Sequence, residues 1–354
     1  MAALRRFKFI RDLKPHDVDA SVETFLRELD GPACLFLAGE DSSRTRALVT
    51  LLHGNEPSGT IALHRWLRSG LRPAINVVCI VASVAAALAP PLFTHRMLPR
   101  ARDLNRCFKP PFEDAQGALA AEILEILKLH HPEAIVDMHN TSGSGPAFAV
   151  SVFADRQHEA LASLFTKRLI VSDLGLGALM EISSENCPVV TIEVGGRLDE
   201  PAHELAYDGL HEYFTREHVL RPTEVDWGLE RLRDPIRLEL KDNVTLTYAD
   251  APSPDHDITL KLDIEHHNFG GVSRETPLGW TRSPEHALFK AVDAGGNCAV
   301  TQIVRTEGGT LYPAQALKLF MITNNAAIAE SDCLFYAVVD EGDSRPGGPS
   351  DGGS

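Results

Sequence analysis

Two histidines and two glutamates stand where metal-assisted hydrolysis would need them. Residues 48–52 form an apolar, β-leaning run that stops at His53. Gly54 and Asn55 follow, then Glu56, then Pro57, a residue suited to the first turn of a helix. A His-x-x-Glu at such a junction can put one imidazole and one carboxylate on a single metal ion. Two more apolar runs carry polar groups in the same way: 135–138 ends at His139, and 189–194 holds Glu193 among apolar neighbours. Two histidines and one glutamate make a three-ligand catalytic zinc set with the fourth position left for water. A further glutamate beside them can serve as general base. The spacing alone decides little. With 15 histidines in the chain it recurs at His130 and Glu133, where no strand precedes it and no glycine loop follows.

These residues need a sheet behind them, because ligands in open α/β sheets gather at the carboxyl ends of strands. The pattern of apolar residues and turn signals predicts strands over 34–38, 45–52, 75–84, 134–138, 147–153 and 189–194. It predicts helices over 18–29, 60–67 (closed near Gly70), 114–130, 155–169 and 200–217. The alanine-rich stretch 77–91 reads as a strand running into a loop, and 93–108, with Arg96, Arg100, Arg102 and Arg106, as a solvated loop. Alternating strands and helices indicate an α/β fold, a mostly parallel or mixed sheet with helices on both faces. After about Pro222 only short β-like runs remain: 236–246, 258–264, 276–280, 287–291, 298–304 and 317–322. The expected division is a catalytic domain over 1–222, a smaller β-rich domain over 223–340, and a tail over 341–354 whose Gly, Pro, Ser and Asp predict disorder.

Composition narrows the partners. The 354 residues carry 34 basic and 49 acidic side chains, a net charge of −15, which argues against nucleic acid or an anionic membrane surface. No apolar run reaches the length of a membrane span, and residues 1–13 lack the apolar core of a signal peptide. The six cysteines lie far apart, with no Cys-x-x-Cys, which predicts neither a disulfide framework nor a zinc-thiolate site. A cytoplasmic protein is the expectation, with a homo-oligomer left open.

Four stretches together resemble the succinylglutamate desuccinylase/aspartoacylase family, relatives of the zinc carboxypeptidases. They are His53-Gly54-Asn55-Glu56, Asp103-Leu104-Asn105-Arg106-x-Phe108, Asp137-Met138-His139-Asn140-Thr141 and Ile192-Glu193-Val194-Gly195. The resemblance implies a zinc-carboxypeptidase-like mixed sheet followed by the β-rich domain. It implies one zinc ion per chain on His53, Glu56 and His139, Glu193 as the base, and Arg96 polarising the scissile carbonyl, with Arg100 or Arg102 as substitutes. Asn105, Arg106, Asn140 and Tyr312 would contact the substrate, a small N-acyl amino acid. A peptide-cutting zinc carboxypeptidase and a non-catalytic metal-binding protein are the competing readings. One departure bears on the substrate. Aspartoacylase has a substrate-binding arginine about ten residues before its catalytic glutamate; the count here falls on Ser183, and no Lys or Arg occurs from Val171 to Gly196. An N-acyl amino acid with a neutral side chain, or with a different acyl group, is therefore expected to be preferred to N-acetylaspartate, unless Arg197 reaches in.

Overall fold

A computed structural model of the chain describes residues 6–340, apart from 12, 142, 144, 174, 222–227, 294 and 332. The expected boundary at 222/223 and the expected tail at 341–354 lie outside the described residues. By internal contacts the chain divides into two units, Met1–Arg233 and Asp234–Ser354.

The first unit is a nine-stranded mixed sheet with helices on both faces. In chain order its elements are β1 (Lys8–Arg11), α1 (Val22–Leu29), β2 (Ala33–Leu37), β3 (Asp41–Thr50), α2 (Ser58–Ser69), β4 (Ile75–Val81), α3 (Val84–Leu88), α4 (Ala115–His130), β5 (Ile135–Thr141), β6 (Phe148–Ser151), α5 (Arg156–Ser163), β7 (Arg168–Val171), β8 (Val189–Gly196), α6 (Glu200–Thr215) and β9 (Glu230–Arg233). The strands lie in the order β1-β2-β4-β3-β5-β8-β6-β7-β9. The four central strands β4, β3, β5 and β8 are parallel, so their carboxyl ends open on one edge. All seven residues of β4 are buried, as an apolar run must be when helices cover both faces of a parallel sheet.

Alternation along the strands sorts the core into two layers. Leu48, Val136, Met138, Ile192 and Val194 pack with Trp66 of α2 and with Tyr213 and Phe214 of α6. Val49, Ile135 and Val189 pack with Leu119, Ile123 and Leu127 of α4. Arg46 ties β3 to the end of α6. Its fully buried guanidinium donates to the carbonyls of Tyr213, Arg216 and Glu217 and to Glu133. Carbonyls left open at a helix C-terminus take a cation there well.

Most predicted elements form near their expected places, and α2 closes on Gly70 with φ 72°. Two do not. Residues 84–88 form helix α3 instead of a loop; three of the five are alanine, the strongest helix former. Helix α5 stops at Ser163, and residues 168–169, expected to be helical, open strand β7 (168–171) between β6 and β9. Between them Phe165 seats on Gly209 of α6, so closely that a Cβ at Gly209 would lie 2.1 Å from its ring. That packing fixes where the chain leaves the helix, and it is invisible to local pattern.

The second unit has its own core and two five-stranded sheets. One is built from β10 (Ile236–Leu240), β13 (Gly270–Val272), β15 (Phe289–Lys290), β18 (Leu317–Phe320) and β19 (Phe335–Val339); the other from β11 (Leu246–Tyr248), β12 (Ile258–Leu260), β14 (Gly279–Thr281), β16 (Val304–Glu307) and β17 (Thr310–Pro313). The β-rich character is as predicted, but the expected strand at 298–304 is mostly the short helix Val300–Ile303. Among the described residues no helix of the chain is long and apolar enough to cross a membrane.

Candidate functional site

Strand β3 ends at Thr50, and the next residue, Leu51, is buried with φ 59°. A branched, bulky residue rarely adopts this left-handed conformation, and such strain collects at functional loops. The turn delivers His53 and Glu56 to the carboxyl edge of the sheet. Gly54 lets the loop lie flat on α3: a Cβ there would stand 2.6 Å from the backbone of Ala87. From the neighbouring strand β5, His139 reaches the same point.

Both imidazoles meet one carboxylate. His53 Nδ1 lies 3.0 Å from Glu56 Oε1, and His139 Nδ1 lies 2.6 Å from Glu56 Oε2. All three residues are buried, and one ligand atom from each falls within 4.8 Å of the others. Their outer nitrogens face carboxylates. His53 Nε2 is 2.8 Å from Asp103 Oδ1, and His139 Nε2 is 2.9 Å from Asp137 Oδ2. Behind His53, the Asp103 carboxylate holds the Nε2 proton and leaves Nδ1 with its lone pair free for a metal; His139 Nε2 has an ion-pair contact with Asp137 but no hydrogen bond among the described residues. His53 Nδ1 is buried with no hydrogen-bond partner among the described residues. The donor set thus fits a divalent metal of the zinc type, and these three residues could hold one.

Charge reinforces the arrangement. Burial alone would raise the Glu56 carboxyl, but the His53 and His139 imidazoles outweigh it and hold it well below the usual range. Asp103 behaves alike: burial raises it, and His53 and then Arg96 bring it down. His139 is driven up against its burial by Asp137 and Glu56.

Glu193 enters from β8 directly across the ladder from His139. Burial pushes its carboxyl up to about 8, against the pull of His139. Its Oε2 is buried with no hydrogen-bond partner among the described residues. A carboxylate that is easily protonated, unclaimed and beside a cation site can accept and return a proton near neutrality.

The arginines separate clearly. Arg96 bonds Glu56 Oε1 at 3.1 Å and Asp103 Oδ2 at 2.8 Å, so its guanidinium borders the cluster. Arg102 is turned toward Asp114 and the Pro111 carbonyl at the start of α4, and Arg100 is exposed. Asn105 is buried, and its Oδ1 accepts from the Leu179 amide. Arg106 is half-buried and donates to the Asn105 carbonyl. Asn140 is buried with its amide turned into the protein, onto Ser58 and Gly195. Tyr312 belongs to the second unit, on β17, where the Arg305 guanidinium lies 4.8 Å from its ring centroid.

The second His-x-x-Glu has ordinary employment. His130 stacks on Phe36, and Glu133 pairs with Arg44 and Arg46. Ser183 lies elsewhere than residue counting suggests. Its hydroxyl accepts from the amide of Val189, at the foot of β8, and meets His158 Nε2 at 2.7 Å. Four residues of strand, about 13 Å, separate Val189 from Glu193. The residues near Asn105 are instead Gly177 to Met180, and Glu181 turns back to bind the amides of Leu176 and Gly177. Sequence reasoning assigned no role to Asp103 and Asp137. The signal for Asp137 was its place two residues before His139, on the same face of a strand.

Residues 42–207 match the family model described as the succinylglutamate desuccinylase/aspartoacylase catalytic domain. That span holds every residue of the cluster. No curated protein matches the sequence. Among solved structures, the chain is similar to a succinylglutamate desuccinylase/aspartoacylase from Rhodobacter sphaeroides, with 16% identity, a TM-score of 0.51, and coverage of 82% of this chain and 83% of that one. It is similar to a succinylglutamate desuccinylase from Vibrio cholerae with 16% identity, a TM-score of 0.50, and coverage of 85% and 99%. At these identities the likeness is one of fold, and it agrees with the match to the catalytic domain. Residues 42–207 are therefore similar to the succinylglutamate desuccinylase/aspartoacylase catalytic domain, and the solved structures share its fold.

Proposed function

We propose that the protein is a zinc-dependent amidohydrolase that removes the acyl group from a small N-acyl amino acid. The observation that carries this reading is the buried His53–Glu56–His139 cluster with the unclaimed carboxyl of Glu193 across one rung of the sheet from it. Zinc, when bound, supplies Lewis acidity that makes water a nucleophile near neutral pH. Glu193 takes the proton as water attacks the amide carbonyl, then returns it to the departing amine nitrogen. Arg96, at the border of the cluster, donates to the oxygen on which charge develops. Arg106 grips the substrate carboxylate through its planar fork, and Asn105 holds the adjoining wall in place through Leu179. The products are a carboxylate and a free amino acid.

The substrate side chain is neutral in this reading. The segment from Val171 to Gly196 brings no cation, and the carboxylate nearest the wall, Glu181, is occupied with backbone amides. A side-chain carboxylate desolvated there without a partner costs of order 2–5 kcal/mol. Lys109, which donates to the Gly175 carbonyl, and Arg197, half-buried just beyond β8, border that segment; Arg197 is the candidate to reverse the preference. The purified protein is expected to carry about one zinc per chain and to turn over neutral N-acyl amino acids with higher kcat/KM than N-acetyl-Asp or N-succinyl-Glu. His53→Ala and His139→Ala should lose the metal, and His130→Ala should keep it. Metal retained in His53→Ala but lost in His130→Ala refutes the site. N-acetyl-Asp as the best substrate refutes the specificity, and Arg197→Ala then becomes the deciding variant.

A further inference from the structure

Asn140 stands beside His139, yet its side chain is turned away from the cluster. Its Oδ1 accepts from the backbone amide of Ser58 at 3.0 Å. Its Nδ2 donates to Ser58 Oγ at 2.7 Å and to the Gly195 carbonyl at 2.8 Å. Ser58 Oγ in turn meets His203 Nδ1 of α6 at 2.8 Å. Asn140 and Ser58 are buried, and His203 is half-buried.

The partners explain why an asparagine is used. Ser58 is the first residue of α2, and the residue before it, Pro57, offers no side-chain cap. The first amides of a helix need an acceptor. Here it comes from another strand, so Asn140 caps α2 across the fold. Gly195 lies where β5 and β8 change register: His139 pairs with Glu193, but Thr141 pairs with Gly196. Two residues of β8 oppose one of β5 there, and Gly195 has φ 116°. The bulge leaves the Gly195 carbonyl to be met by a side chain, and Asn140 meets it.

Each of the three partners adjoins a residue of the cluster. Ser58 is two residues after Glu56, Asn140 one after His139, and Gly195 two after Glu193. We infer that Asn140 is a positioning residue, the hub of a clamp in which His203, Ser58 and Gly195 fix Glu56, His139 and Glu193 relative to one another. It does not contact the substrate. Only a group with one acceptor and two donors in a plane can make these bonds at once. His203 anchors the clamp from α6, which packs beside α2 on the same face of the sheet.

This inference rests on the proposed deacylase reading, and the test separates the two. Asn140→Ala is expected to weaken zinc about tenfold or more in competition with a chelator, the size seen when partners of metal ligands are removed. It should lower kcat with little change in KM, and speed hydrogen exchange of the peptide over residues 53–60 in metal-free protein. His203→Ala, which removes only the outer anchor, should do the same to a smaller extent and keep the fold. His203→Asn, which returns a polar atom near the Nδ1 position, should restore wild-type behaviour. A raised KM with zinc affinity and exchange unchanged in Asn140→Ala would overturn the clamp in favour of substrate contact. Unchanged zinc affinity, kcat and exchange in His203→Ala would remove the outer anchor. If exchange quickens as expected while the wild-type protein binds no zinc, the clamp stands and the deacylase reading fails.

Discussion

Glu193 is the residue whose environment most directly sets its chemistry. In metal-free protein it titrates at about 8 instead of the ordinary 4.5, because burial penalises its charged form. Between those values the folded state holds a proton that the unfolded state has released. By linkage, the group's contribution to stability is full below pH 4.5 and falls as pH rises toward 8. Glu193→Gln carries no such proton, so urea titrations of the metal-free variant should show a flatter loss of stability from pH 5 to 8 than the wild type. Under the proposed function, zinc at the cluster would favour the Glu193 carboxylate, and the acid limb of kcat/KM is expected below pH 8. Glu193→Gln should bind zinc and substrate normally and lose at least about 10²-fold in kcat. Near-normal turnover in that variant would rule out its role as base. The cluster itself was legible in the sequence because polar groups at strand ends leave a mark, an apolar run that stops at them. Asp103 and Asp137 leave no such mark, since a residue that only orients another has no pattern of its own.

At the scale of elements, the site depends on how closely the loop after β3 packs on α3. Gly54 has an ordinary φ, so its requirement is steric rather than conformational. Gly54→Ala would place a Cβ 2.6 Å from Ala87 N and 2.7 Å from Ala86 C, both backbone atoms that cannot swing aside. The loop must then move, taking His53 and Glu56 with it. The variant should unfold with about 1–3 kcal/mol less stability and give up zinc to a chelator more readily; unchanged zinc affinity would show that the loop adapts without moving its ligands. In the first unit, helix α3 and strand β7 differ in type from what the sequence pattern predicts. Both are short; α3 follows from its run of alanines, while the end of α5 before β7 is set by the distant seat of Phe165 on Gly209. Long elements such as α4, with its Asp114 cap, declare themselves. Ser183 shows the same limit for function, because counting residues back from Glu193 ignores the chain's descent to the foot of β8.

For the whole molecule, two units with separate cores imply that unfolding is not one two-state event. Metal stabilises the state that binds it, by about 4 kcal/mol when free zinc exceeds its Kd a thousandfold. At about 2–4 °C per kcal/mol for a unit of this size, chelation should lower the melting of the first unit by roughly 8–16 °C. Hydrogen exchange can check this: amides of β3 and β5 should lose protection at lower temperature without zinc, while those of β18 and β19 keep theirs. Equal loss in both units would mean that the metal's effect is not confined to the unit that holds its ligands.

The pairing of His139 with Glu193 across β5 and β8 bears on how such a protein can diverge. Their backbones are neighbours in one ladder, at the inter-strand spacing of about 4.8 Å. No loop movement alters that distance. The wall near Asn105 is a separate segment, about 172–183, between β7 and β8, joined to the chemistry through a few hydrogen bonds. Under the proposed function, exchange of that loop is expected to change substrate choice while the His139–Glu193 pairing is kept. A library randomised over 176–182, with Leu179 and Glu181 retained, is a practical starting point for new acyl and amino-acid preferences.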